Sequence, residues 1–198
     1  MERARPRIGV LALQGDFAAH ARALRSCDAE PVEVRTPEPL ADVAALILPG
    51  GESTTLLRLL RLTSLDRAIP AFHRSGGFLF GTCAGLILLA REVRDPDQES
   101  LGLLDVGVQR NAYGRQVESF VGSGTFSRNG GSPAAQEMVF IRAPRILRVG
   151  EGVETIGFLG DEPTLVRAGR IWGATFHPEL AEPFEIHRRF LAEVAGDR

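Results

Sequence analysis

Lysine is absent from the 198 residues; all 23 cationic side chains are arginine. A Gly-Lys-Ser/Thr phosphate loop is therefore excluded. The bias itself reads as a coding preference of the source genome, because adaptation to heat usually enriches lysine as well. Cysteine is scarce too, and the two present, Cys27 and Cys83, make no disulfide framework. No cationic surplus exists: the formal net charge of -2 offers neither a basic field for nucleic acid nor a polybasic surface for a membrane. Long apolar runs are missing. The longest stretch, 77–90, is interrupted by Gly and Thr and falls short of the ~20 residues of a membrane helix. Residues 1–6 lead directly into a strand-like segment, without the apolar core of a signal peptide. The expectation is a soluble, cytoplasmic protein with no nucleic-acid partner.

What is present suits a globular chain: 44% hydrophobic and 24% charged residues, at about the length of one domain. There is no repeat, no low-complexity tract and no long linker, so a single domain over 1–198 is expected. In the first half, apolar runs at 8–13, 32–34, 44–48 and 77–80 read as strands. Helices are expected at 17–25, capped by Asp16, up to residue 62 with Ser53 or Thr54 as cap, at 66–74, and at 84–91. This alternation is the mark of a parallel sheet covered on both faces. The second half reads as strands at 106–109, 116–121, 138–142, 146–149, 164–167 and 171–176, closed by a helix at 184–194. Residues 122–132 hold four glycines among eleven and read as a mobile surface loop.

Three segments carry chemistry. Gly81-Thr82-Cys83-Ala84-Gly85 lies between an apolar strand and an apolar helix. It is a nucleophile elbow with Cys in the central place, and the dipole of the helix after it favours a thiolate. Standing alone, the pattern fits a buried structural cysteine equally well. Cys27 has no such setting and reads as a packing residue. A thiolate needs a base, and the base an orienter. Thr175-Phe176-His177-Pro178-Glu179 follows an apolar strand. His177 and Glu179, two apart at a strand end, can point the same way. His20, His73 and His187 lie in helical, charged or mixed contexts and read as satisfied or exposed histidines. Pro49-Gly50-Gly51-Glu52-Ser53 places glycines between a strand and a helix, leaving backbone N–H groups to face a developing oxyanion. An ordinary strand-to-helix turn would look the same.

Taken together, the three segments resemble the class I, or triad, glutamine amidotransferase family. More narrowly, the chain resembles the PdxT family, the glutaminase subunits of pyridoxal 5′-phosphate synthase. The narrower resemblance rests on Leu13-Gln14-Gly15, on residues 48–55 and 80–86, on Arg110-Asn111 and Tyr113-Gly114-Arg115-Gln116, on Phe140-Ile141-Arg142-Ala143-Pro144, and on residues 176–180. It implies a three-layer α/β/α, flavodoxin-like fold around a central mixed, mostly parallel sheet. It implies that Cys83 attacks the side-chain amide of L-glutamine, that His177 serves as base and then acid, and that Glu179 orients His177. It further implies that Gly51, Glu52, Ser53, Arg110, Ile141 and Arg142 bind the substrate. Gly50 and Ala84 would serve the oxyanion, and Gln14 a nearby position responsive to partner docking. No metal or organic cofactor is implied. The implied partner is a (β/α)8-barrel synthase subunit, with twelve glutaminases around a dodecameric core.

Overall fold

The computed structural model describes residues 5–110, 119–127 and 133–196. Five parallel strands form one half of a nine-stranded sheet: β1 (Arg7–Leu11), β2 (Glu30–Val34), β3 (Ala45–Leu48), β4 (Phe78–Thr82) and β12 (Ile171–Ala174), in the order β2-β1-β3-β4-β12. This is the doubly wound, flavodoxin-like order, in which ligands bind outside the carboxyl ends of the strands. The other half is antiparallel: β11 (Glu162–Ala168), β10 (Glu154–Leu159), β7 (Ser119–Phe126) and β8 (Ala134–Ile141) extend the sheet outward from β12. A separate small sheet contains β5 (Ala90–Arg94), β6 (Leu104–Gln109) and β9 (Arg145–Val149).

Period-2 alternation divides the strand residues between two cores. Ile8, Val10, Ala45, Ile47, Phe78, Phe80, Trp172 and Ala174 face one way. They meet Leu24 of α1 (Phe17–Ser26) and Ile186, Phe190 and Val194 of α5 (Glu185–Gly196). Leu46, Leu48, Leu79, Val166 and Ile171 face the other way. There they pack on α2 (Ser53–Leu62), α3 (Leu65–Arg74), α4 (Ala84–Leu89) and the small sheet. The result is the expected three-layer arrangement around a mixed sheet. Among the described residues, no helix is long and apolar enough to cross a membrane.

Several local expectations are corrected. The helix after Cys83 ends at Leu89, and residues 90–91 begin β5 instead. The strand β10 has no counterpart in the sequence reading. Helix α2 is capped by Glu52 and not by Ser53 or Thr54: its carboxylate accepts the backbone N–H groups of Thr54 and Thr55. Asp16 precedes α1 as expected, yet its side chain makes no capping hydrogen bond. The glycine-rich tract is strand, not loop, as far as Phe126; residues 128–132 lie outside the described residues. Its glycines lie against the paired strand β10. A Cβ on Gly124 would run into the Phe158 carbonyl, and one on Gly122 would press on Leu159. The expected strand at 116–121 is β7, displaced toward the C-terminus, and residues 111–118 lie outside the described residues.

Candidate active site

The carboxyl ends of β1, β3, β4 and β12 converge on one pocket of about 230 Å³. That is smaller than sites for drug-sized ligands and suits a small metabolite. Cys83 stands at its floor. The strand β4 turns into α4 so sharply that Cys83 adopts φ 49°, ψ -105°, a conformation costly for a side chain with a Cβ. Two glycines make the turn possible. A Cβ on Gly81 would meet the Gly85 carbonyl, and a Cβ on Gly85 would run into the Leu48 carbonyl. The Cys83 backbone N–H donates to Ala174 O at 2.8 Å, which pins the elbow to β12. Its thiol points at Ile141 O, 3.8 Å away.

Three residues beyond Ala174, His177 lies beside that sulfur. Its own N–H donates to Val139 O at 2.8 Å, so β8 fixes it from the far side. The Nδ1 of His177 is 2.7 Å from Glu179 Oε1, and Glu179 has no solvent exposure. Burial opposes charge on His177, but the neighbouring Cys83 and the hydrogen-bonded Glu179 outweigh it and raise the pKa to about 10, although His177 Nε2 itself has no hydrogen-bond partner among the described residues. Burial likewise opposes ionisation of Glu179, yet the facing His20 and His177 hold its pKa at about 2. The arrangement therefore favours an imidazolium between a sulfur and a carboxylate. That is the geometry of nucleophilic catalysis with a built-in proton donor.

The opposite wall is the turn after β3. Glu52 N–H donates to Gln14 Oε1 at 2.9 Å, and Asp16 N–H donates to Gly50 O at 3.3 Å, lacing this turn to the one after β1. Gly15, at φ 96°, has no room for a Cβ against the Gly50 carbonyl. Gly50 itself lies against the His177 ring. Ser53 is buried and donates to Gln98 Oε1 at 2.8 Å. Arg110 reaches to 3.5 Å from the Glu52 carboxylate. Partial burial of that carboxylate is outweighed by hydrogen bonds from Thr54 and Thr55, which hold its pKa at about 2. Arg142 closes the rim at φ 42°, a second strained residue in the same pocket.

The family model for the SNO glutamine amidotransferase family matches residues 10–196. The chain is 49% identical over 196 residues to the Deinococcus radiodurans protein named "Pyridoxal 5'-phosphate synthase subunit PdxT", covering 96% of this chain and 98% of that one. It is 48% identical to the protein of the same name from Pelotomaculum thermopropionicum, with 93% of each covered. A solved structure described as "Crystal structure of glutamine amidotransferase" superposes with a TM-score of 0.88 at 48% identity, over 96% of this chain and 98% of that one. The chain belongs to the SNO glutamine amidotransferase family. The Thermotoga maritima PurLQS structure shares the fold alone, with a TM-score of 0.73 at 17% identity over 98% of this chain and 99% of that one.

For this amidotransferase, the pocket gathers Gln14, Gly51, Glu52, Ser53, Cys83, Ala84, Arg110, Ile141, Arg142 and His177, all singled out from sequence. Gly50 and Glu179 stand directly behind it, against His177. The Tyr113–Gln116 segment lies outside the described residues. Asp16 and Ile87 also line the pocket and were missed. Asp16 had a usable signal, a carboxylate directly after the Gln14-Gly15 turn, but was read only as a cap. Asp16, His177 and Glu179 offer ligand atoms within 4.8 Å of one another. A cation there would compete with the His177–Glu179 hydrogen bond.

Behind Glu179 lie two more histidines that the sequence reading set aside. His20 is hydrogen-bonded at both ring nitrogens, as that reading allowed, whereas His187 is bonded through Nε2 and its Nδ1 has no partner among the described residues. Both are fully buried, and they adjoin the site.

Proposed function

We propose that this chain hydrolyses L-glutamine to L-glutamate and ammonia, and delivers the ammonia to a pyridoxal 5′-phosphate synthase subunit. The observation that carries the reading is the Cys83–His177–Glu179 alignment in a pocket rimmed by Arg110 and Arg142, in a chain about half identical to proteins bearing the PdxT name. The Cys83 sulfur attacks the side-chain amide carbon of glutamine. Backbone N–H groups at Ala84 and the Gly50-Gly51 turn face the oxyanion that forms. His177 gives its proton to the departing nitrogen, ammonia leaves, and a γ-glutamyl thioester remains on Cys83. His177 then takes a proton from water, the hydroxide attacks the thioester, and glutamate and the free sulfur are restored. Arg110 pairs with the substrate α-carboxylate and Glu52 with its α-ammonium. The partner is a (β/α)8-barrel synthase, in an assembly of twelve glutaminases on a dodecameric core. The Gln14-Gly15 peptide, held at positive φ against Gly50, is the element that senses docking.

The test is ammonia release from glutamine, with and without added synthase, by three forms of the chain. The wild type should gain substantially on adding synthase, because a missing oxyanion donor costs roughly 10²–10³-fold in rate. Cys83→Ala should release none, and Cys27→Ala should match the wild type. A Cys83→Ala protein that still turns over glutamine would overturn the assignment. A wild type already at full rate without synthase would remove the docking switch alone.

A further inference from the structure

His20 on α1 and His187 on α5 are both fully buried and lie outside the pocket lining. His20 Nδ1 is 3.0 Å from His187 Nε2. His20 Nε2 is 3.1 Å from Thr82 Oγ1, in the residue before the nucleophile, and 3.2 Å from Glu179 Oε2. One imidazole thus touches α5, the end of β4 and the carboxylate behind His177.

Electrostatics fixes its tautomer. A bare lone pair on Nε2 would face the Glu179 carboxylate at 3.2 Å and repel it, so Nε2 carries the proton. Nδ1 is then an acceptor, and His187 Nε2–H donates to it. This leaves His187 Nδ1 as a bare acceptor with no hydrogen-bond partner among the described residues. Burial lowers the pKa of both rings, which favours their neutral forms. In that tautomer the Nε2–H donates to Thr82 Oγ1, and the 3.2 Å approach to Glu179 Oε2 is an electrostatic contact, not a hydrogen bond. Glu179 Oε2 is buried without a hydrogen-bond donor among the described residues, and the His20 N–H is the positive group set against it. Glu179 is also faced by His177 and, from the start of α1, by the carboxylate of Asp16. His20 is faced by Glu179, His177, Asp16 and His187.

We propose that His20 is a positioning residue: locked as its Nε2–H tautomer by His187, it anchors the Glu179 carboxylate that orients His177. The inference rests on the reading of Cys83, His177 and Glu179 as a glutaminase triad. It assigns a role to two residues that never meet the substrate, so their loss should reach kcat rather than KM.

The experiment compares His20→Leu, His20→Gln and His187→Leu with the wild type, by two readouts. The first is kcat and KM for glutamine at saturating synthase. The second is the titration of the His177 ring by NMR, with no substrate present. His20→Leu should lower kcat about 10- to 100-fold, the worth of one charge-assisted contact, with KM within about twofold. The His177 titration should move to lower pH as its carboxylate partner loosens. His20→Gln keeps an N–H donor and should recover much of both. His187→Leu should show a smaller loss, because it frees the tautomer without removing the donor. Should His20→Leu fail to fold, His187→Leu and His20→Gln still decide: wild-type kcat and an unmoved His177 titration in His187→Leu, or a His20→Gln as impaired in kcat as Cys83→Ala, refute the proposal. A His20→Leu protein with wild-type kcat and titration refutes it directly. A wild type that releases no ammonia with synthase, while the His177 titration still moves in His20→Leu, sinks the glutaminase reading and leaves the positioning role standing.

Discussion

Replacing Glu179 by Gln removes a charge and very little else. The amide keeps a carbonyl oxygen of the same reach, so it can still accept His177 Nδ1–H at a distance near the present 2.7 Å. What disappears is the anion, in a place with no solvent to replace it. In the wild type that anion helps raise the His177 pKa to about 10, while its own pKa sits at about 2. The pair is therefore charged throughout any ordinary assay. A charge-assisted hydrogen bond is worth about 1 kcal/mol or more beyond a neutral one, and burial enlarges the difference. The expected cost is thus about 10- to 100-fold in kcat. His177→Asn, which removes the proton carrier itself, should cost more. The pH profile carries an independent sign. With Glu179 gone, the imidazolium persists only to a lower pH, so the alkaline limb of kcat/KM should move downward. The assay is ammonia release at saturating synthase across the pH range. A Glu179→Gln protein with wild-type kcat and an unmoved alkaline limb would refute the reasoning, because some other group would then be orienting His177.

Two further predictions concern the frame. Gly85→Ala places a Cβ against the Leu48 carbonyl, a backbone atom that cannot step aside. It should lower the unfolding free energy by about 1–3 kcal/mol in thermal denaturation and depress activity by shifting the elbow. His187 has its pKa lowered to about 3, chiefly by burial and then by the neighbouring His20. Its unfolded form takes up a proton below about pH 6.5 while the folded form does not, so stability attached to this group falls as pH drops from about 6.5 to about 3. His187→Leu should flatten the denaturant-measured stability profile in that window, by on the order of 3 kcal/mol at pH 4. An unchanged slope would contradict the buried neutral state.

The legible parts of the site were those where chemistry and turn geometry share a short segment. Gly81 to Gly85 holds both the proposed nucleophile and the glycines its turn requires, and Thr175 to Glu179 holds the proposed base and orienter two residues apart. The Glu52 cap was hidden because the adjacent Ser53 and Thr54 are themselves favoured cap residues. Strand β5 was hidden because only its Ala90 continues the apolar run of α4, while Arg91, Glu92 and Arg94 leave no apolar alternation to mark a strand. The glycines at 122 and 124 were read as loop because a local rule cannot see that β10, with Phe158 opposite Thr125, packs beside them. His20 and His187 carried no local sign at all: they lie 167 positions apart and acquire meaning only once α1 and α5 share a face of the sheet. The parallel half of the fold follows from alternating segments. The antiparallel half depends on pairings, such as β10 with β7, that no short window contains.

The left-handed backbone at Cys83 has an evolutionary consequence. A side chain held there costs on the order of 1–3 kcal/mol of folding free energy, which glycine would largely escape. Selection for stability and selection for turnover therefore pull on this codon in opposite directions. A lineage that no longer needed ammonia from this chain would gain robustness by discarding its sulfur, so the cysteine persists only while its chemistry is used.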